Sequence, residues 1–406
     1  MDPIESFVQI CGEVGHFTER ITGVNLVDAY MGPEELAPHK QRTDSNAQTL
    51  FSKLDYLIDN IEDNIEEDLR RRYLLGEVDS LIAAVRVFSG EPMSYADAVE
   101  SMFHIPMRGF PEREIQHWID IVEDLLSNAP GGTLLEKVDL FSKEGEVTGD
   151  QLRNLIMNDL QKKSQEVGLL FRDRIYSIMG QSVKDNGVEY KCVLDKPWSG
   201  YNWYQGGFKS LNEFNIERPF NRDSLKAVIY HEYEHHVSNL WREQVYLETG
   251  NLELSIVPLH TGRCVISEGT ADTAKEFLDI GLDDDRTSVI DALYILRRMT
   301  SINAAIMLNS ENKSIDKAVE YLMEYGLRDE VSARGSIGFI QPRQSDGRPN
   351  FFAPYVFTYY FGRTDFVRPT FLKAKKENQL VEFYRTVYLN QYSGSSLTWK
   401  EAFEWL

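Results

Sequence analysis

The chain has 406 residues, 42% hydrophobic and 12% aromatic, enough for one large core or two subdomains sharing a cleft and too apolar for a disordered chain. With 64 acidic and 43 basic residues the formal net charge is −21, so most of the surface would repel a polyanion and nucleic acid is not an expected partner. Cys11, Cys192 and Cys264 are too few and too far apart for a disulfide framework or a cysteine zinc site, which suggests a reducing compartment.

The first segment, MDPIESFVQICGEVGHFTER, lacks the basic start and apolar run of a signal peptide. No stretch approaches the roughly 18 uninterrupted apolar residues of a membrane helix. A cytoplasmic protein without a membrane partner is expected. Residues 46–90 carry helical spacing: Leu50, Leu54, Ile58, Ile61, Ile65, Leu69 and Tyr73 recur every three or four positions, opposite an acidic face of Asp55, Asp59, Glu62, Asp63, Glu66 and Glu67. A second helix is expected through Leu81–Phe88, ending at Gly90. Ser94 reads as the cap of a short helix over Tyr95–Phe103. Further helices are predicted at Glu112–Leu126 and Gln151–Met179, so residues 1–180 read as a helical subdomain. The texture changes at 181–221, where DKPWSGYNWYQGGF is rich in aromatics and glycine and GFKSLNEFNIERP reads as a strand closed by Pro219. Helices resume at 222–245, 264–280, 286–309 and 314–326. Residues 333–354 read as a long glycine- and proline-rich loop, of the kind that serves as a lid or binding loop. Helices near 355–376, 379–389 and 398–405 complete a mainly α fold with a small sheet. The segment 181–406 is the expected catalytic part, integrated with the first through a shared cleft.

The densest chemistry lies in YHEYEHHVSNL, residues 230–240. His231-Glu232-Tyr233-Glu234-His235 fits H-E-x-x-H within a run free of proline and glycine. Residues four apart on a helix differ by about 40° in direction, so His231 and His235 can close on one ion while Glu232 reaches a water beside it. Two neutral imidazoles on zinc with a carboxylate as base are what a metallohydrolase needs. Catalytic zinc takes three protein ligands, and Glu268, 33 residues past His235 in CVISEGTADTAKEFL, is the expected third. Asp272, one turn later, is placed to accept the free N–H of a ligand histidine. Gly269 and Ala271 are expected to keep this helix slim where it presses on the first, and Cys264 to be a small buried residue. Glu234 is expected to be solvated, and His236 to pack beside the site rather than bind metal.

HEYEHH followed by SEGTAD resembles a gluzincin metallopeptidase. The runs RDEVSARGSI, PYVFTYYFGRTDFVRPTFLKAKKE and VEFYRTVYLNQYSGSSLTWKEAFEWL extend the resemblance to a largely uncharacterised helical gluzincin family akin to the carboxypeptidase Taq and thimet oligopeptidase groups. That family carries H-E-x-x-P-G-H, whereas this chain has the shorter form. The resemblance implies a helical shell around a deep channel with one Zn²⁺ at its floor and an edge strand beside it, a place that GFKSLNEFNIE matches. It implies a peptide substrate, cleaved in carboxypeptidase or oligopeptidase fashion, and a C-terminal tyrosine as oxyanion donor: Tyr359, with Tyr360 as alternative. Arg334, Arg363 and Arg368 are candidates for a peptide's terminal carboxylate, and His260 for a further electrophile.

Two other readings compete. Glu114/His117 and Glu232/His235 both fit E-x-x-H, the pattern of a di-iron carboxylate bundle and an oxidoreductase function. A non-catalytic relative that binds zinc or peptide is the other, although metal binding alone would not require Glu232.

Overall fold

The computed structural model describes residues 2–40, 43–196, 198–217, 219–281 and 285–406. The fold is mainly α. Helix α1 (Pro3–Thr22) opens on the side chain of Asp2 and packs its apolar side against β1 (Val27–Tyr30) and the hairpin of α2 (Ala47–Asn64) and α3 (Asp68–Ser89). The helical spacing read across 46–90 breaks at 65–67, where Ile65 is extended, so the two helices divide earlier than the sequence suggests. Then come α4 (Tyr95–Phe103), capped by Ser94 as expected, α5 (Glu112–Leu125) and α6 (Leu134–Glu144), whose Thr133/Glu136 capping box went unread. A two-residue strand β2 (Glu146–Val147) leads into α7, residues 149–179, interrupted by π-helical turns at Leu155–Leu160 and Arg172–Tyr176.

Strands β3 (Val188–Val193), β4 (Gly200–Gly206) and β5 (Lys209–Asn215) form a sheet in the order β3-β5-β4. Strand β5, the GFKSLNEFNIE segment, is therefore central and not an edge: it pairs parallel to β3 and antiparallel to β4. The tight turn at Gly206 and Gly207, both at positive φ, folds the aromatic segment back as β4, which becomes an edge, as β3 is on the other side. Arg218, within the expected strand terminus, lies outside the described residues. Strand β6 (Phe220–Asn221) pairs with β2 and runs into α8 (Arg222–Thr249); β7 (Ile256–Pro258) pairs with β1.

Helices α9 (Gly262–Phe277), α10 (Asp285–Asn309), α11 (Ile315–Glu324) and α12 (Glu330–Ile340) follow. The last occupies about the first third of the expected loop, residues 333–340. Asp329 caps it through the Ser332 amide, and Ala333, Ile337 and Ile340 form a buried stripe at helical spacing that outweighs Gly335 and Gly338. Helix α13, residues 356–376, holds a π-helical turn at Gly362–Val367, and α14 (Leu380–Tyr388) and α15 (Trp399–Ala402) complete the chain.

The largest core joins Phe7, Leu54 and Leu81 with Leu254, Ile302, Ile337 and Phe357, so packing crosses the boundary drawn at residue 180. No described helix is long and apolar enough to cross a membrane.

Candidate metal centre

Helix α8 is capped by the Asn221 side chain, which accepts from the Asp223 and Ser224 amides, and ends where Gly250 turns left-handed. Leu225, Ile229, Val237, Leu240 and Trp241 bury it, which fixes its rotation and points His231 and His235 at α9. The approach of α9 to α13 is set by two glycines. A Cβ on Gly269 would come 2.5 Å from Gly362, and one on Gly362 would come 1.9 Å from the Val265 carbonyl oxygen. Gly269 thus makes room for α13, not for α8 as its sequence position suggests.

Three donor atoms converge between α8 and α9. His231 Nε2 lies 3.2 Å from His235 Nε2 and 3.3 Å from Glu268 Oε2, and His235 Nε2 lies 3.7 Å from Glu268 Oε2. Ligands held 2.0–2.2 Å from a tetrahedral zinc are about 3.3–3.6 Å apart, so the three edges fit one zinc-sized ion. Glu268 Oε2 is sealed from solvent without a hydrogen-bond partner, the kind of orphan a metal would satisfy. Among the described residues this is the one group of three or more His, Cys, Asp or Glu side chains that could hold a metal.

The supports of these ligands are equally specific. Asp272 Oδ1 lies 2.7 Å from His231 Nδ1, Ser267 Oγ lies 3.1 Å from His235 Nδ1, and the Tyr355 hydroxyl donates to Glu268 Oε1 at 2.9 Å. The Asp272 contact favours the tautomer that leaves His231 Nε2 free for metal. Tyr294 donates to the same Asp272 oxygen at 2.7 Å. Burial alone would lower both histidines, yet the carboxylates of Asp272 and Glu268 beside it hold His231 well above its ordinary range, and Glu268 raises His235. Burial would raise Glu268, but the two histidines hold it well below the usual carboxylate range.

Glu232 is buried and is not part of the ligand triangle. Burial pushes its carboxyl up, against the pull of His231 and His235, which suits a base. Edge strand β4 passes beside it: a Cβ on Gly200 would be 3.7 Å from Glu232 Oε1. Tyr201, next on that strand, bonds to Asp28, whose charge is felt by His235 and Glu268. On the other side Tyr359 is half-buried within electrostatic reach of Glu268 and Asp272, with the Arg298 guanidinium 3.8 Å from its ring centre.

Other expected residues lie elsewhere. Tyr360 packs edge-on against Phe110. Arg334 is exposed and pairs with Glu330 and Asp316, while Arg363 and Arg368 both pair with Glu276, so none of the three is free for a substrate carboxylate. His260 is fully buried among Phe88, Phe103, Phe351 and Tyr355; burial lowers it to about 3, and it has no route to a reacting atom. Glu114 and His117 are exposed on α5 and join no metal-binding cluster among the described residues, which leaves the di-iron reading without a geometric basis there. Glu234 is fully buried and accepts from Ser238, Thr270 and Tyr388, contrary to its expected solvation. His236 packs as expected, with Nδ1 2.8 Å from Ser210 Oγ and Nε2 3.1 Å from Asp185. Tyr294, Tyr355 and Arg298 escaped the sequence reading. The spacing of Tyr294 and Arg298 on one face of α10 is their one local signal, and it is common to any helix.

No protein-family model and no curated protein sequence matches the chain. Solved structures that align with the chain include two, of which the first shares its fold. One, from Colwellia psychrerythraea and provisionally named a lipoprotein, aligns with a TM-score of 0.54 at 13% identity, covering 89% of this chain and 70% of the other. The second, from Shewanella oneidensis, is likewise provisionally named a lipoprotein of unknown function; it aligns with a TM-score of 0.47 at 12% identity, over 88% and 71% of the two chains.

Proposed function

We propose that the chain is a gluzincin-type zinc metallopeptidase that hydrolyses short or unfolded peptides. The observation carrying this reading is the placement of a buried carboxylate, Glu232, beside three converging donor atoms that it does not join. His231, His235 and Glu268 would hold the metal. When bound, zinc would polarise the scissile carbonyl and acidify the attacking water. Glu232 would accept the proton from that water and pass it to the leaving amine. Asp272 and Ser267 keep the two imidazoles oriented through their Nδ1 atoms, and Tyr355 holds Glu268. Tyr359 would donate its phenolic hydrogen to the carbonyl oxygen as negative charge develops there. An extended peptide would lie along edge strand β4 next to Glu232, pairing backbone with backbone.

Incubation of the zinc-loaded protein with a mixed peptide library, read by mass spectrometry with a chelated control, should give cleavage that disappears with the metal. Metal-independent cleavage, or none, would favour the non-catalytic binding protein instead. A cytoplasmic location belongs to the same proposal, supported by three cysteines that are all free. Cell fractionation that finds the protein with membranes would overturn that part.

A further inference from the structure

Arg298 lies on α10 one turn beyond Tyr294. Its guanidinium stands 3.8 Å from the ring centre of Tyr359 and 4.7 Å from that of Tyr294, and Nη2 donates to the Tyr294 hydroxyl at 2.8 Å. This arrangement ties it to the metal centre, because Tyr294 bonds to Asp272 and Asp272 to His231. Several half-buried arginines are matched by acids, Arg70 by Glu253, Arg363 by Glu276, and Arg286 by Asp223 and Glu144, while Arg263, Arg297 and Arg328 bond to neutral oxygens. Arg298 forms no ion pair with a described carboxylate. The nearby acid, Asp272, already accepts from His231 and Tyr294 through one oxygen. Nη2 is bonded to Tyr294, and no nitrogen of half-buried Arg298 is a sealed orphan of the kind left at Arg297 Nε and Arg328 Nε.

A cation held against two aromatic rings and paired with no acid is preorganised for a planar anion. In a chain of net charge −21 such a site stands out against its surroundings. We infer that Arg298 is the carboxylate-recognition residue of this centre, taking a carboxylate of the ligand, either the α-carboxylate of a peptide or an acidic side chain near the cleaved bond. The choice of a peptide as ligand rests on the function proposed above; the anion preference does not.

The test is calorimetric binding to the Glu232→Gln protein, both zinc-loaded and metal-free, so that turnover is slowed and direct binding of the anion to metal is separated. The probes are an N-acetylated tripeptide with a free C-terminus, its C-terminal amide, and an amide ending in glutamate. The free acid or the glutamate peptide should bind about 10- to 100-fold more tightly than the plain amide in both metal states, and which one does so identifies the source of the carboxylate. Adding Arg298→Gln should erase that preference while zinc stoichiometry and circular dichroism stay unchanged, and Arg298→Lys should restore it only in part. The inference is overturned if acid and amide bind alike, if nothing binds, if the preference needs zinc, or if Arg298→Gln weakens all three probes equally. Preferential binding without any cleavage by the wild type would leave this inference standing and sink the peptidase reading.

Discussion

Two sets of neighbouring positions on α8 carry the same kinds of side chain and do opposite things. At 231, 232 and 235, two histidines and a glutamate lie around one sealed atom that lacks a partner, Glu268 Oε2. At 233, 234 and 236 a tyrosine, a glutamate and a histidine are also buried, but their polar atoms are matched. Glu234 accepts from Ser238, Thr270 and Tyr388, and both Tyr233 and His236 reach Asp185. Gly168 makes room for Tyr233, since a Cβ there would come 2.1 Å from its hydroxyl. Buried charge alone therefore does not mark a site. Convergence of unmatched donors does, while a closed network marks structure.

This contrast can be broken by substitution. The largest effect is expected from His235→Ala, which removes one of three ligands and should abolish stoichiometric zinc binding and lower peptide cleavage by more than about 1000-fold, with little change in thermal stability of the metal-free protein. Glu234→Ala should do the reverse. It leaves three donors facing an empty space and should cost about 2–4 kcal/mol in denaturant unfolding while the protein still binds one zinc. Loss of zinc on Glu234→Ala, with the fold retained, would erase the distinction between the two sets.

Asp272→Asn should weaken zinc binding about 10- to 100-fold in competition with a chromophoric chelator, because the His231 tautomer is no longer held by a charge. The smallest effect concerns acid stability. Burial would raise Asp185, but its bonds with His236, Gly187 and Tyr233 lower it to about 2 from an ordinary 3.8. A folded-state value below the unfolded one contributes stability above pH 3.8, lost as the pH falls toward 2. The loss should be about 1–2 kcal/mol after allowance for solvent screening and absent in Asp185→Asn, as acid titrations of denaturant midpoints would show.

The same contrast explains what could be read from the sequence. The convergence of His231 with His235, the placement of Glu232 beside them and the helices around them follow from spacing within one segment, and Glu268 with Asp272 from one more helix, so this geometry is legible in the sequence. Glu234 was misread because its partners Thr270 and Tyr388 come from distant segments, and a glutamate in a charged run looks solvated. The role of β4 as edge was hidden for a similar reason: strand order depends on the non-local pairing of β3 with β5. Residues 330–340 looked like a loop because their glycines masked a stripe of three buried positions. Arg298 acquires meaning only when α10 and α13 bring it over Tyr359.

Glu232→Gln offers the most direct test of the central claim, because it changes one oxygen to nitrogen beside the ligands and none of the ligands. Zinc content and peptide cleavage should be measured together on the wild type and this variant. The account predicts one zinc per chain in both, with metal-dependent cleavage that falls by about 100- to 10,000-fold in the variant. Full activity in Glu232→Gln, or a zinc-loaded wild type that cleaves no peptide, would contradict it.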